Sequence, residues 1–159
     1  MNKIQEIVNF TKHPINTSKY ILHCNNEIKN KSILVLKDFL KKESLNELIE
    51  EASDLEDSAY YCSQNHTVLL NKPDKSKNVN DPLNIEVVSD KGCVPHDLLN
   101  KNSKLNILYK STIFKNFLKG VLDLDNLYPY KDKLSSINYN YYQKYQQLGW
   151  HFDNASFAI

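Results

Sequence analysis

Apolar residues at spacings of three and four predict two amphipathic helices in this chain. The first spans residues 42–57 (KESLNELIEEASDLED), with an apolar face formed by Leu45, Leu48, Ile49, Ala52 and Leu55. The second spans residues 111–122 (STIFKNFLKGVL), with Ser111 or Thr112 as its cap, in a helical region that begins near Pro95 or Asp97. Residues 1–127 are therefore predicted to be rich in helix.

Short apolar or aromatic stretches predict strands, most of them near the end of the chain. The predicted strands or extended segments are 32–36 (SILVL), 60–70, 135–145 (SSINYNYYQKY), 148–152 and the opening of another at 157–159. Residues 71–82 (NKPDKSKNVNDP) are rich in turn formers and predict a polar loop. The pattern indicates a single α+β domain over residues 1–159, with a sheet that starts within 128–159.

That sheet has too few strands to close on itself or to cover both of its faces. An open edge with aromatic faces favours aggregation unless something covers it. We therefore expect the natural protein to continue beyond Ile159.

Composition excludes several classes of function. The formal charge is +1, which gives no reason to expect nucleic acid or an acidic membrane as a partner. No stretch has the length of a membrane span, and residues 1–12 lack the pattern of a signal peptide. The three cysteines, Cys24, Cys62 and Cys93, form no CxxC pair, which fits incidental thiols in a reducing compartment. These features predict a cytoplasmic protein.

The stretch 149–154 (GWHFDN) carries the candidate chemistry. In an extended segment, residues two apart project from the same face, so His151 and Asp153 should point the same way. An imidazole and a carboxylate on one face can take two adjacent positions around a divalent metal, and one more His would complete the facial triad of a non-haem Fe(II) oxygenase. The alternative for so short a motif is a His and an Asp that only hydrogen-bond to each other.

The residues around this motif resemble the Fe(II)/2-oxoglutarate-dependent oxygenases, in which a strand runs into His-x-Asp within a double-stranded β-helix (a jelly-roll or cupin-like fold). More narrowly, 148–157 (LGWHFDNASF) looks like the subfamily of free amino acid (lysine-type) hydroxylases and halogenases. Residues 105–109, 114–122 and 127–128 resemble the helical lead-in of that subfamily. The resemblance covers residues 105–157.

The resemblance implies a role for each matching residue. His151 and Asp153 would bind Fe(II), and Tyr142 would lie beside a carboxylate of the cosubstrate 2-oxoglutarate. Tyr139, Tyr141 and Tyr145 compete with Tyr142 through a one-residue slip in register, and packing within a strand is the alternative for each tyrosine. Trp150 and Asn154 would line the pocket of a small-molecule substrate such as a free amino acid, with a place in the core as the alternative for Trp150.

Asp153 decides which chemistry the resemblance implies. Halogenases of this group have Gly or Ala at that position, which leaves a place for halide on the iron. A carboxylate there implies hydroxylation.

The chain also departs from the family pattern. Tyr145 and Gln146 stand where the subfamily tends to have a glycine and an acidic residue. The third ligand and the basic partner of 2-oxoglutarate should follow Asp153 by several dozen residues, and the basic partner is usually Arg, which this sequence lacks entirely. The four upstream histidines would need a changed topology to complete the triad; they are His13, His23, His66 and His96. The 159-residue chain is thus predicted to be inactive by itself, and a non-catalytic binding or structural module is the alternative function.

Overall fold

The computed structural model describes residues 3–155 and residue 157. Within this range the chain is a mixed protein of five α-helices and a three-stranded antiparallel sheet with strand order β1-β2-β3. The helices are α1 (Ile4–Ile7), α2 (Ser18–Lys31), α3 (Lys42–Leu55), α4 (Lys104–Lys110) and α5 (Thr112–Val121). The strands are β1 (Tyr60–Thr67), β2 (Glu86–Pro95) and β3 (Asn138–Tyr141). Two positions of the strand predicted at 157–159 lie outside the described residues.

The chain divides into two compact units. The first comprises Met1–Leu55 and Pro95–Asn138, and the second comprises Glu56–Val94 and Tyr139–Ile159. The first unit contains the five helices, and the second contains most of the sheet and the predicted metal ligands.

The core of the first unit lies where α2 and α5 pack together. Its buried side chains are Ile4, Ile7, Val8, Ile15, Cys24, Phe117 and Val121. Gly120 lets the two helices approach closely, because a Cβ at this position would lie 2.5 Å from Cγ2 of Ile21. Burial raises the pKa of the Cys24 thiol, so this cysteine behaves as a small apolar core residue.

Both predicted helices are confirmed, with small shifts at their ends. The first is α3, which ends at Leu55 and continues as a short 3-10 turn over Glu56–Ser58. The second is α5, where the Ser111 side chain caps the helix by accepting a hydrogen bond from the Phe114 N–H at 3.3 Å.

The prediction of a strand at 32–36 is wrong. Ser32 ends helix α2 in the left-handed conformation with φ 56°, and residues 33–36 have no strand partner. Leu34 and Leu36 pack against the helical core, whereas Ile33 and Val35 are exposed. The short apolar run that predicted a strand is therefore an extended segment that packs one side on helices, without the ladder that defines a sheet.

The strand predictions for the second unit are partly confirmed. Strand β1 occupies the first eight residues of the extended segment predicted at 60–70, and the polar loop follows it. Strand β2, which pairs with β1 in antiparallel register with Tyr61 opposite Gly92, was not predicted. Only Asn138–Tyr141 of the segment 135–145 forms a strand, and the chain then turns, with Tyr145 at φ 73°. No strand is assigned at 148–152.

Among the described residues, none of the helices combines the length and the apolar character that crossing a bilayer would require.

A buried hydrogen-bonded pair joins two segments of the first unit. The Nε2–H of His13 donates to the carbonyl of Lys37 at 2.8 Å, so the Nδ1 atom of the neutral ring accepts a hydrogen bond from the Tyr20 hydroxyl at 2.6 Å. His13 is 7% exposed. Burial, followed by the neighbouring Cys24, raises the pKa of Tyr20 from 10.0 to about 12. The protonated hydroxyl is therefore the form that the folded state stabilises.

We expect the free energy of unfolding to fall as the pH rises between about 10 and about 12. Tyr20 has a raised pKa in the folded state, so its contribution to stability is complete below its unfolded pKa and is lost as the pH passes its folded pKa. Tyr20→Phe should remove this part of the pH dependence and should lower stability at neutral pH by about 1–3 kcal/mol, since Nδ1 of His13 loses its donor. Urea unfolding at about pH 8 and about pH 11 measures both effects. Tyr128→Phe is the matched control, because Tyr128 is 78% exposed; equal pH dependence in the two variants would contradict the assignment.

Candidate metal site

The segment that contains the predicted ligands is held against the sheet of the second unit by three hydrogen bonds. The Asp90 N–H donates to the Gln147 carbonyl at 2.7 Å, and the Gly149 N–H donates to the Ser89 hydroxyl oxygen at 3.0 Å. Beyond His151, the Phe152 N–H donates to the Val68 carbonyl at 2.7 Å. The segment is thus anchored on both sides of His151 although it is not part of the regular strand ladder.

Gly149 allows this segment to approach β2 closely. A Cβ at this position would lie 2.7 Å from the Val88 carbonyl oxygen and 2.8 Å from Cγ2 of Val87. Because one of these neighbours is backbone, a side chain at residue 149 could not be accommodated by a rotamer change alone. The glycine therefore brings the peptide that precedes the ligands directly onto the strand.

His151 and Asp153 come together as their spacing predicts. Nε2 of His151 lies 3.2 Å from Oδ1 of Asp153, with side-chain exposures of 16% and 55%. Nδ1 of His151 lies 2.6 Å from the Gly149 carbonyl oxygen, which can only accept, so Nδ1 carries the hydrogen. In the neutral ring, the lone pair is then on Nε2, the atom that faces the carboxylate.

A positive charge between the two side chains would stabilise this arrangement. A lone pair and a carboxylate repel each other at 3.2 Å unless a proton on Nε2 or a bound cation lies between them. Two adjacent ligand atoms on a first-row divalent metal lie about 3 Å apart, because each bond is about 2.1 Å long and the bonds meet at nearly a right angle. Histidine ligands also usually donate the other ring N–H to a carbonyl or carboxylate. The pair thus fits two positions of a metal site.

The described residues supply no third ligand. They contain no group of three or more His, Cys, Asp or Glu side chains that could hold a metal ion. His66 is the histidine nearest to the pair, with its ring centroid 5.8 Å from that of His151 and the two rings perpendicular at 89°. Both of its nitrogens are engaged, Nδ1 with the Thr67 carbonyl at 2.8 Å and Nε2 with the Ser89 hydroxyl at 2.6 Å.

The other upstream histidines lie in the first unit. His13 is engaged as described above. His96 bonds to Ser136 through Nδ1 at 2.5 Å and to Asn106 through Nε2 at 2.7 Å, and His23 is exposed on α2. Within the described residues, these histidines have structural or surface positions.

The residues predicted to bind cosubstrate and substrate are exposed. Tyr142 is 48% exposed and Trp150 is 87% exposed, and Asn154 is also exposed. The alternative of a core position for Trp150 is therefore wrong. Within the part of the chain that the structure describes, no hydrogen bond links these three residues to the His151–Asp153 pair. Of the competing tyrosines, Tyr139 and Tyr141 are half-buried in β3, and Tyr145 is 88% exposed.

Sequence reasoning missed the residues that support the pair. His66 lies opposite Val87 in the β1–β2 register, and Ser89 is two residues further along β2, so the three side chains share one face of the sheet. The adjacent valines of β2 indicate a strand. The pairing of His66 with Ser89, however, depends on the register, which one sequence does not reveal.

Gly149→Ala should lower the free energy of unfolding by about 1–3 kcal/mol, because the added Cβ meets the Val88 carbonyl and the backbone has to move. Chemical denaturation followed by circular dichroism measures the loss. Trp150→Ala, at the neighbouring exposed position, is the control and should change stability by less than about 0.5 kcal/mol. A Gly149→Ala variant as stable as the wild type would show that the segment does not pack on β2 as described.

Comparisons with known proteins give no further information on the residues around His151. No protein-family model matches this sequence, and neither a curated protein nor a solved structure is significantly similar to it.

Proposed function

We propose that this protein acts in Fe(II)/2-oxoglutarate-dependent hydroxylation of a small molecule, with His151 and Asp153 as two of the metal ligands. In this proposal residues 128–159 form the start of a double-stranded β-helix, and the substrate is a compound such as a free amino acid in the cytoplasm. The proposal combines the resemblance around residues 105–157 with the geometry of the ligand pair.

One observation carries the proposal. The Nε2 atom of His151 faces the Asp153 carboxylate at 3.2 Å while the Nδ1–H is already used by the Gly149 carbonyl. A hydrogen bond to the second ring nitrogen fixes which nitrogen is free to bind metal and raises its basicity. The same backbone segment thus presents both candidate ligands and orients one of them.

The residues of the chain define the kind of reaction that is proposed. When bound, Fe(II) would supply the activation of O₂, with 2-oxoglutarate as the source of electrons. Asp153 occupies a coordination position that a halide would otherwise take, which favours hydroxylation over halogenation. Tyr142 would hold a carboxylate of 2-oxoglutarate, and Trp150 and Asn154 would contact the substrate.

The donor set of this chain is incomplete for that reaction. The described residues offer no third metal ligand, and the sequence contains no Arg to bind the distal carboxylate of 2-oxoglutarate as a bidentate partner. We therefore expect the 159 residues by themselves to bind a divalent metal weakly and to be inactive as a hydroxylase. Activity would need a further ligand and a cationic group.

A second candidate function is a non-catalytic binding or structural module derived from this fold. It is favoured by the missing third ligand among the described residues and by the 55% exposure of the Asp153 side chain. In this case a proton on Nε2 of His151 replaces the metal, and the two side chains form an exposed ion pair of small energetic value.

The two candidates differ in the binding of Co(II), whose visible absorption reports nitrogen and oxygen ligands. We expect the wild-type chain to bind Co(II). His151→Ala or Asp153→Ala should weaken this binding at least about tenfold, because the loss of an outer-shell hydrogen bond alone weakens metal binding by roughly that factor. His23→Ala should leave the affinity unchanged, because His23 is an exposed histidine of the first unit.

The outcomes separate the possibilities clearly. Equal Co(II) affinity in His151→Ala and wild type would show that the ligand assignment is wrong. A wild-type chain that binds no Co(II), while remaining folded, would support the module without metal.

A further inference from the structure

A chain of hydrogen bonds runs from the end of β1 to the ring of His151, and for neutral imidazole rings each bond has one direction. The Thr67 carbonyl can only accept, so Nδ1 of His66 donates to it at 2.8 Å. The Gly149 N–H can only donate, so the Ser89 oxygen accepts from it at 3.0 Å. With its hydrogen on Nδ1, the neutral ring of His66 has only a lone pair on Nε2, so the Ser89 hydroxyl donates to this atom at 2.6 Å.

This network is protected from water at one end. His66 is 7% exposed and Thr67 is 0% exposed, and Gly149 is buried. Buried polar groups that lose a partner are not compensated by solvent, so each member constrains the position of the next. The network therefore acts as a rigid support and leaves His66 without a free nitrogen for a metal.

The network ends on the residue whose carbonyl orients His151. Gly149 uses its N–H to bond to Ser89 and its carbonyl to bond to Nδ1 of His151, at 2.6 Å. These two groups belong to successive peptide groups that share the Cα of Gly149. If the Ser89 hydroxyl were absent, the first peptide group would lose its bond to β2, so the backbone of Gly149 would be held less closely against the strand and its carbonyl would hold the hydrogen of His151 on Nδ1 less firmly. The tautomer of His151 thus depends on a side chain of β2.

We propose that Ser89 and His66 are positioning residues for the His151–Asp153 pair: by holding the backbone of Gly149 on β2 they favour the tautomer of His151 whose Nε2 lone pair faces Asp153. The purpose of this positioning role rests on the proposed metal-binding function. The orientation of His151 itself, however, can be measured without any metal.

Ser89→Thr and Ser89→Val provide a matched pair of variants. Their side chains have nearly the same shape and both suit a strand, but only threonine retains the hydroxyl. We expect Ser89→Val to weaken Co(II) binding by about 10- to 100-fold, as expected for loss of an outer-shell partner, and Ser89→Thr to remain close to wild type. Far-UV circular dichroism verifies folding, and Ser89→Ala replaces Ser89→Val if the latter does not fold.

The second measurement is the ring nitrogen spectrum of His151 by NMR without metal, under conditions in which the ring is neutral. The wild type and Ser89→Thr should show the Nδ1–H tautomer, and Ser89→Val should shift toward a mixture of tautomers. His66→Asn can place its amide N–H where Nδ1 donates to Thr67, but its shorter side chain places no acceptor where Nε2 meets Ser89, so it should shift the tautomer in the same direction. A merely structural role would lower stability without changing this spectrum.

The two measurements distinguish failure of this inference from failure of the proposed function. A wild-type chain that binds no Co(II) but shows the tautomer shift in Ser89→Val would end the proposed metal function and support the positioning role. Identical ring spectra in Ser89→Val and Ser89→Thr would overturn the positioning role, whatever the Co(II) affinities.

Discussion

The candidate site depends on the hydrogen bonds made by the backbone of Gly149. Its N–H bonds to Ser89 and its carbonyl bonds to His151, while the missing side chain lets the backbone lie against the Val88 carbonyl. The two peptide groups on either side of one Cα therefore join the strand to the imidazole. A regular strand pairing would place these groups in the ladder, whereas here a segment outside the ladder uses them to orient a side chain.

What lies between His151 and Asp153 determines the chemistry that the pair can perform. With the Nδ1 hydrogen committed to a carbonyl, Nε2 can carry a proton and form an ion pair or present its lone pair to a metal. The separation of 3.2 Å is compatible with both states, because it suits a hydrogen bond to a carboxylate oxygen and also equals the spacing of two adjacent metal ligands. The proposed function depends on a metal ion taking the place of the proton.

Three of the histidines illustrate how backbone carbonyls select a ring form. His13 donates from Nε2 to Lys37, whereas His66 and His151 each donate from Nδ1 to a carbonyl close by in sequence. At His13 and His66 the free nitrogen then accepts from a hydroxyl, and both rings have structural roles. His151 is different because its free nitrogen faces a carboxylate, which is why only this ring is a candidate ligand among the three.

The sequence alone was sufficient for the helices α3 and α5, a cap at Ser111 or Thr112, the extended segment that contains β1 and the proximity of His151 to Asp153, since each depends on residues within a few positions of one another. It was not sufficient where distant segments meet. The segment 32–36 packs on helices instead of joining a sheet, β2 pairs with β1 in a register that brings Ser89 to His66, and Trp150 is exposed. Periodicity reports which residues share a face, but the partner of that face is chosen by long-range packing, which only the tertiary structure decides.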